Sequence, residues 1–117
     1  MKNKLFLLFI SLILFLCPLI ASGAWSPMTS GTTNGLKGIW GSSGSDVFAV
    51  GSNGTILHYD GNAWSPMSSG TTDVLKGVWG SSGSDVFAVG SNGTILHYDG
   101  NTWSPMSSGT TNGHKGI

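Results

Sequence analysis

Arginine and glutamate are absent from this 117-residue chain, and cysteine occurs once. Each absence narrows the function. Nucleic-acid binding rests on clustered Lys and Arg facing phosphates. Here the basic residues are Lys2, Lys4, Lys37, Lys76 and Lys115 alone. From residue 25 onward three lysines face five aspartates, a net charge of −2. That balance argues against nucleic acid, and equally against electrostatic attachment to anionic lipid. Without glutamate, carboxylate chemistry falls to Asp46, Asp60, Asp73, Asp85 and Asp99. No segment after residue 24 carries the 3.6-residue apolar period of a helix.

The first 24 residues read as a targeting segment. Residues 1–4 are basic, residues 5–16 form a 12-residue apolar run, and Ser22, Gly23 and Ala24 make a small-residue cleavage site. That pattern predicts a signal peptide over 1–24, cleaved between Ala24 and Trp25, and an exported protein: secreted, periplasmic or at the cell surface. The alternative is an uncleaved N-terminal membrane anchor. Residues 5–21 are only 17 long and contain Pro18, at the short limit for spanning a bilayer. Cys17 is preceded by Leu14, Phe15 and Leu16, which lack the small side chains of a lipid-attachment site. After cleavage no cysteine, no disulfide and no membrane association are expected.

The remainder, 25–117, is a repeat. Trp25, Trp64 and Trp103 are 39 residues apart, as are Trp40 and Trp79. Residues 25–63 align without gaps on 64–102 and differ at five positions, so 34 of 39 are identical; residues 103–117 begin a third copy. Each repeat reads as four short strands. Residues 36–40 form the first and 46–50 the second, whose apolar run suits a strand buried on both faces. Asn53-Gly54 marks a type I′ hairpin turn. Residues 55–60 form the third strand and 63–68 the fourth. Pro66 cannot donate to a ladder, so the fourth strand is expected at an outer edge.

Four strands per repeat, with a doubly buried strand inside and proline outside, is the logic of a propeller blade. The fold expected is all-β: a partial β-propeller of four-stranded antiparallel blades, two complete, plus an orphan fourth strand at 25–29 and the start of a first strand at 114–117. Trp40 and Trp79 should fill the space between blades. Trp64 and Trp103 should pack under the preceding turn.

Residues 50–64 (VGSNGTILHYDGNAW) recur at 89–103 with Thr102 for Ala63. This string resembles the AVGxxGTILxxxDGGxTW repeat of BNR/Asp-box propellers, especially the photosystem II assembly-factor-like group of bacterial exported proteins. The turn is one residue shorter than that family's usual form. The resemblance implies that Asp60 and Asp99 are the box aspartates and Trp64 and Trp103 the box tryptophans, in a structural turn between third and fourth strands.

The resemblance extends to sialidases, which grip a substrate carboxylate with three arginines. A chain without arginine has none of that chemistry. Glycoside hydrolysis by other routes needs two carboxylates with separated pKa values. Here every strand and box aspartate recurs 39 residues on, and turn aspartates ordinarily bond backbone amides. An active site must break a repeat's symmetry, so no enzyme activity is expected. His58 and His97 recur too; neighbouring blades splay them apart with no second ligand type in view, so no metal or cofactor is expected. Asn53 and Asn92 fit an N-glycosylation acceptor, but the hairpin turn accounts for them.

The copies differ consecutively at Asn34/Asp73 and Gly35/Val74, in the segment joining one blade to the next. In propellers that segment shares a face with the turn between second and third strands. Asn34, Asn53, Asp73 and Asn92 are therefore the candidate ligand-binding residues, for a protein or glycan whose identity the sequence does not carry. The function expected is an exported, non-catalytic binding or scaffold module, a fragment of a longer repeat protein. The competing readings are an accessory propeller of an exported hydrolase and a truncated product without function. Further blades, from the same gene or from homo-oligomerisation, are the expected partners.

Overall fold

The computed structural model describes residues 25–114 and 116; the signal-peptide segment, with Ala24, lies outside them. The described residues form two four-stranded antiparallel sheets. The first holds β1 (Leu36–Ser43), β2 (Asp46–Gly51), β3 (Ile56–Tyr59) and β4 (Trp64–Met67), in chain order. The second holds β5 (Leu75–Ser82), β6 (Asp85–Gly90), β7 (Ile95–Tyr98) and β8 (Trp103–Met106) in the same order. The fold is all-β, a partial propeller of two open blades. As expected from Pro66, β4 pairs only with β3, and Pro66 stands opposite Leu57.

The turn joining β2 to β3 has the expected type I′ geometry. Asn53 has φ 57° and ψ 37°, and Gly54 has φ 65°. The Thr55 amide closes the turn by donating to the Ser52 carbonyl at 3.1 Å. Asparagine and glycine tolerate this left-handed region better than other residues. The hairpin carries one feature the turn alone does not reveal. Gly51 and Ser52 together oppose Thr55, because the Gly51 amide also donates to the Thr55 carbonyl at 3.0 Å. This bulge shifts the pairing so that Phe48 stands opposite His58 and Ala49 opposite Leu57. Only glycine fits there: a Cβ on Gly51 would stand 2.0 Å from the Gly35 carbonyl oxygen.

Register assigns every side chain to a face, because the period is two. Trp40, Phe48, Val50, Ile56 and Met67 share the face of the first blade that looks toward the second. Leu75, Val78, Val86, Leu96, Tyr98 and Trp103 form the facing surface of the second. These residues and Ala88 make one hydrophobic core between the blades. Phe48 is 1% exposed and touches the rings of Tyr98 (centroids 5.6 Å apart) and Trp103 (6.1 Å). The innermost strands approach at glycine: a Cβ on Gly38 would lie 3.4 Å from Gly77 Cα. Gly77 repeats this toward Gly116 of the third copy, at 3.0 Å.

Three expectations need correction. Residues 25–29 form no strand, and Trp25 is fully exposed; a fourth strand pairs with a third, and no third strand precedes Trp25 among the described residues. Trp40 does fill the space between blades, its ring lying where a Cβ on Gly80 would come within 2.7 Å. Its counterpart Trp79 is 47% exposed, because no sheet follows the second blade in the described residues. Trp64 packs tilted against Tyr59 and Trp103 stacks on Tyr98, each pair with ring centroids 5.2 Å apart, and Trp103 is buried against the first blade. Of the start of a first strand at 114–117, Lys115 and Ile117 lie outside the described residues. His114 belongs to no strand, though its amide donates to the Gly90 carbonyl at 2.7 Å.

Candidate functional site at the blade ends

The two ends of each blade carry different chemistry. At one end the segment joining the blades meets the β2–β3 turn. The Ser52 amide donates to the Gly35 carbonyl at 2.9 Å, and the Gly54 amide donates to the Asp73 carbonyl at 2.9 Å. The turn is therefore clamped between its own repeat's linker and the next. Side chains join in. Asn34 Nδ2 donates to Thr55 Oγ1 at 2.9 Å. In the second repeat Asn92 Nδ2 donates to Asp73 Oδ1 at 2.9 Å, and Thr94 Oγ1 donates to Asp73 Oδ2 at 2.6 Å. Thr94 and Asn92 hold the Asp73 carboxyl below the ordinary aspartate range, since donors stabilise the charged form.

The structure thus brings Asp73 and Asn92 into direct contact and sets Asn34 on Thr55. Asn53 stands exposed at the tip of its turn. Asp73 joins the blades: its carbonyl holds the first blade's turn while its carboxylate holds the second's.

The opposite end carries the box aspartates. Asp60 Oδ1 accepts from the amides of Asn62 at 2.8 Å and Ala63 at 2.9 Å. Asp99 Oδ1 accepts from Asn101 and Thr102, both at 2.9 Å. The amides of Ala63 and then Asn62, and of Thr102 and then Asn101, lower the two carboxyl pKa values. Both aspartates therefore sit in backbone-bonded turns, immediately before Trp64 and Trp103 on the fourth strands.

Asp46 and Asp85 depart from that pattern. Their carboxylates bond side chains instead of backbone. Asp46 Oδ1 lies 2.6 Å from His58 Nε2, and Ser42 Oγ donates to Asp46 Oδ2. Asp85 repeats the set with His97 at 2.7 Å and with Ser81. The serine bond first, and the histidine bond second, lower both aspartate pKa values. An ionised carboxylate only accepts, so His58 and His97 carry a proton on Nε2. A second ligand type does lie beside each histidine, contrary to the expectation. Among the described residues, however, no three His, Cys, Asp or Glu side chains gather where a metal could sit.

The order within the set decides its chemistry. Serine activation needs histidine between serine and carboxylate, so that the imidazole can take the hydroxyl proton. Here the carboxylate is in the middle, and a carboxylate of depressed pKa is a weak base. The arrangement is a brace. It ties β1, β2 and β3 together at one end, with the imidazole packed on Phe48 at 4.7 Å. Gly83 of the second blade closes over the brace, since a Cβ there would stand 2.2 Å from Asp46 Oδ2.

No protein-family model matches the chain, and no curated protein is detectably similar to it.

Proposed function

We propose that this chain is an exported, non-catalytic blade-repeat module of the Asp-box type, which binds or scaffolds a protein or glycan through the linker end of its blades. The observation that carries this reading is the fate of the carboxylates. Asp60 and Asp99 are occupied by turn amides, and Asp46 and Asp85 by serine and histidine in duplicate braces. Each is a framework group repeated blade for blade, which leaves no singular acid–base pair. The polar linker end is where the copies differ in charge, Asn34 against Asp73, beside the exposed turn asparagines Asn53 and Asn92.

Export rests on the residue 1–24 pattern. Among the described residues no helix is long and apolar enough to cross a membrane. N-terminal sequencing of the exported protein should begin at or near Trp25; Met1 retained in a membrane fraction defeats that part of the reading. Binding is tested by probing glycan and peptide arrays with the full chain and with Asn34→Ala/Asp73→Ala. Signal lost in the double variant supports the linker end, whereas equal signal rejects it. Chromogenic glycosides and esters should show no turnover above a heat-treated control. Turnover abolished by changing one aspartate, but not its copy, overturns the non-catalytic reading.

A further inference from the structure

The described residues hold one internal blade interface and two open faces, and the open faces are the two halves of that same interface. On the far side of the second blade lie Trp79, Phe87, Val89, Ile95 and Met106. These are the repeats of Trp40, Phe48, Val50, Ile56 and Met67, which the second blade covers. On the near side of the first blade lie the repeats of the covering residues. Of the twelve residues in or against the internal core, eleven recur identically 39 residues away, and one changes, Val78 to Ile39.

We infer that a second copy of this chain docks head to tail, the near face of its first blade seating on the far face of the second blade. The fit is explicit in the internal interface. Trp40 lies over Gly80, and the open Trp79 has Gly41 as its counterpart on the incoming face. Asp46 is covered by Gly83, and the open Asp85 has Gly44. Large apolar groups stand exposed on both faces: Ile39 at 67% on one, and Trp79 and Met106 at about half on the other. An unrelated partner would have to reproduce this pattern, whereas a second copy already carries it.

Such an interface is heterologous, so it repeats until it closes. Propellers have about four to eight blades, so two blades per chain give closed rings of about two to four copies. The docking copy also meets a competitor. Thr110 of the host lies over Gly93 as Thr71 lies over Gly54, and Gly116 lies against Gly77. The start of the third repeat therefore occupies the place that residues 30–38 of the incoming copy would take, and one segment must displace the other. Assembly through these faces is independent of what the linker end binds.

The test is light scattering coupled to size exclusion on the full chain, expressed with its own N-terminal segment, alongside two variants. Ile39→Asp blocks one face, and Trp79→Asp the other. The unaltered chain should elute as a discrete assembly of two to four copies. Each variant alone should be a single folded copy by near-ultraviolet circular dichroism. Mixed, they should form a one-to-one pair, because each supplies the face the other lacks. Met106→Lys replaces Trp79→Asp should the latter not fold. A folded single-copy unaltered chain, variants that still assemble alone, or a mixture that does not pair each overturns the inference. Symmetric face-to-face association gives the second of these results.

Discussion

Phe48 and Phe87 occupy the same place in two copies of one blade, with identical neighbours along the strand. Phe48 is 1% exposed, while Phe87 remains partly open. The same split divides Leu75, fully buried, from Leu36, which is 44% exposed, and it runs in the opposite direction. At these positions the blade's own sequence therefore does not decide burial; the neighbouring blade does. Stability in such an array resides in interfaces between units more than within a unit. The first blade contributes one face to the internal interface and the second contributes the other.

That contrast can be broken most severely at the phenylalanines. Phe48→Ala removes a ring held by Tyr98, Trp103, Trp40 and His58. In urea unfolding of the dissociated chain it should cost about 3–5 kcal/mol, the usual range for a buried aromatic. Phe87→Ala, whose one aromatic partner among the described residues is His97, should cost less than half as much. Equal losses would mean that each blade folds on its own contacts. The leucines sharpen the same point from the other side. Leu75→Ala should cost about 2–5 kcal/mol and Leu36→Ala under about 1 kcal/mol, read from the same titrations.

Much of this was legible in the sequence and some was not. The four strands per repeat, the Asn53-Gly54 turn and the edge position of Pro66 follow from local chemistry, and the structure places them within a few residues of expectation. The first strand runs longer, to Ser43, because it continues to pair with β2 through Gly41 and Ser43. The Ser42–Asp46–His58 brace was missed for a nameable reason. A plain two-residue hairpin at Asn53-Gly54 would pair Phe48 with Tyr59 and send His58 to the other face. The bulge at Gly51 moves His58 onto the face of Phe48 and Asp46, and the clash that demands glycine there comes from Gly35, sixteen residues upstream. The signal available was the joint recurrence of Asp46 with His58 and Asp85 with His97 at the repeat period. For Trp79, the sequence could assign a face but not a neighbour.

The braces extend the comparison to pH. Both central aspartates have pKa values below the ordinary 3.8 in the folded chain. A carboxyl depressed by folding stabilises the fold fully above its unfolded pKa. That contribution fades as pH falls through the lower folded value. Acid titration should therefore show stability declining below about pH 4, the ordinary aspartate range. Asp46→Asn should unfold more easily at pH 7, with its deficit relative to the unaltered chain shrinking as the pH drops below that value. Asp85→Asn should show the same trend more weakly. Its carboxylate is 44% exposed against 26% for Asp46, and solvent screens the bonds it makes. A deficit that stays constant with pH would show that the carboxylates act by shape rather than by charge.

The smallest expected effect lies at the linker, where Asn34 and Asp73 differ by one atom type. In the first repeat Asn34 donates to Thr55 Oγ1, and that hydroxyl passes its own proton to the Ser52 carbonyl at 2.7 Å. In the second, Asp73 accepts from Thr94, whose single hydroxyl proton is drawn to the carboxylate, and from Asn92. Asp73→Asn should restore the first arrangement: the new amide donates to Thr94 Oγ1, and the threonine proton turns to the Ser91 carbonyl. The number of bonds at Thr94 is unchanged, and the group is at the surface, so the urea midpoint at pH 7 should move less than in any variant above. What should change is the acid response. The Asp73 carboxyl is also held low, by Thr94 and then Asn92, and its stabilising share is lost as pH falls through the folded value. The variant lacks that loss and should approach or pass the unaltered chain in stability below about pH 4. A large destabilisation at neutral pH would instead mean that the junction between the blades depends on the carboxylate itself, and that the two linkers are not interchangeable.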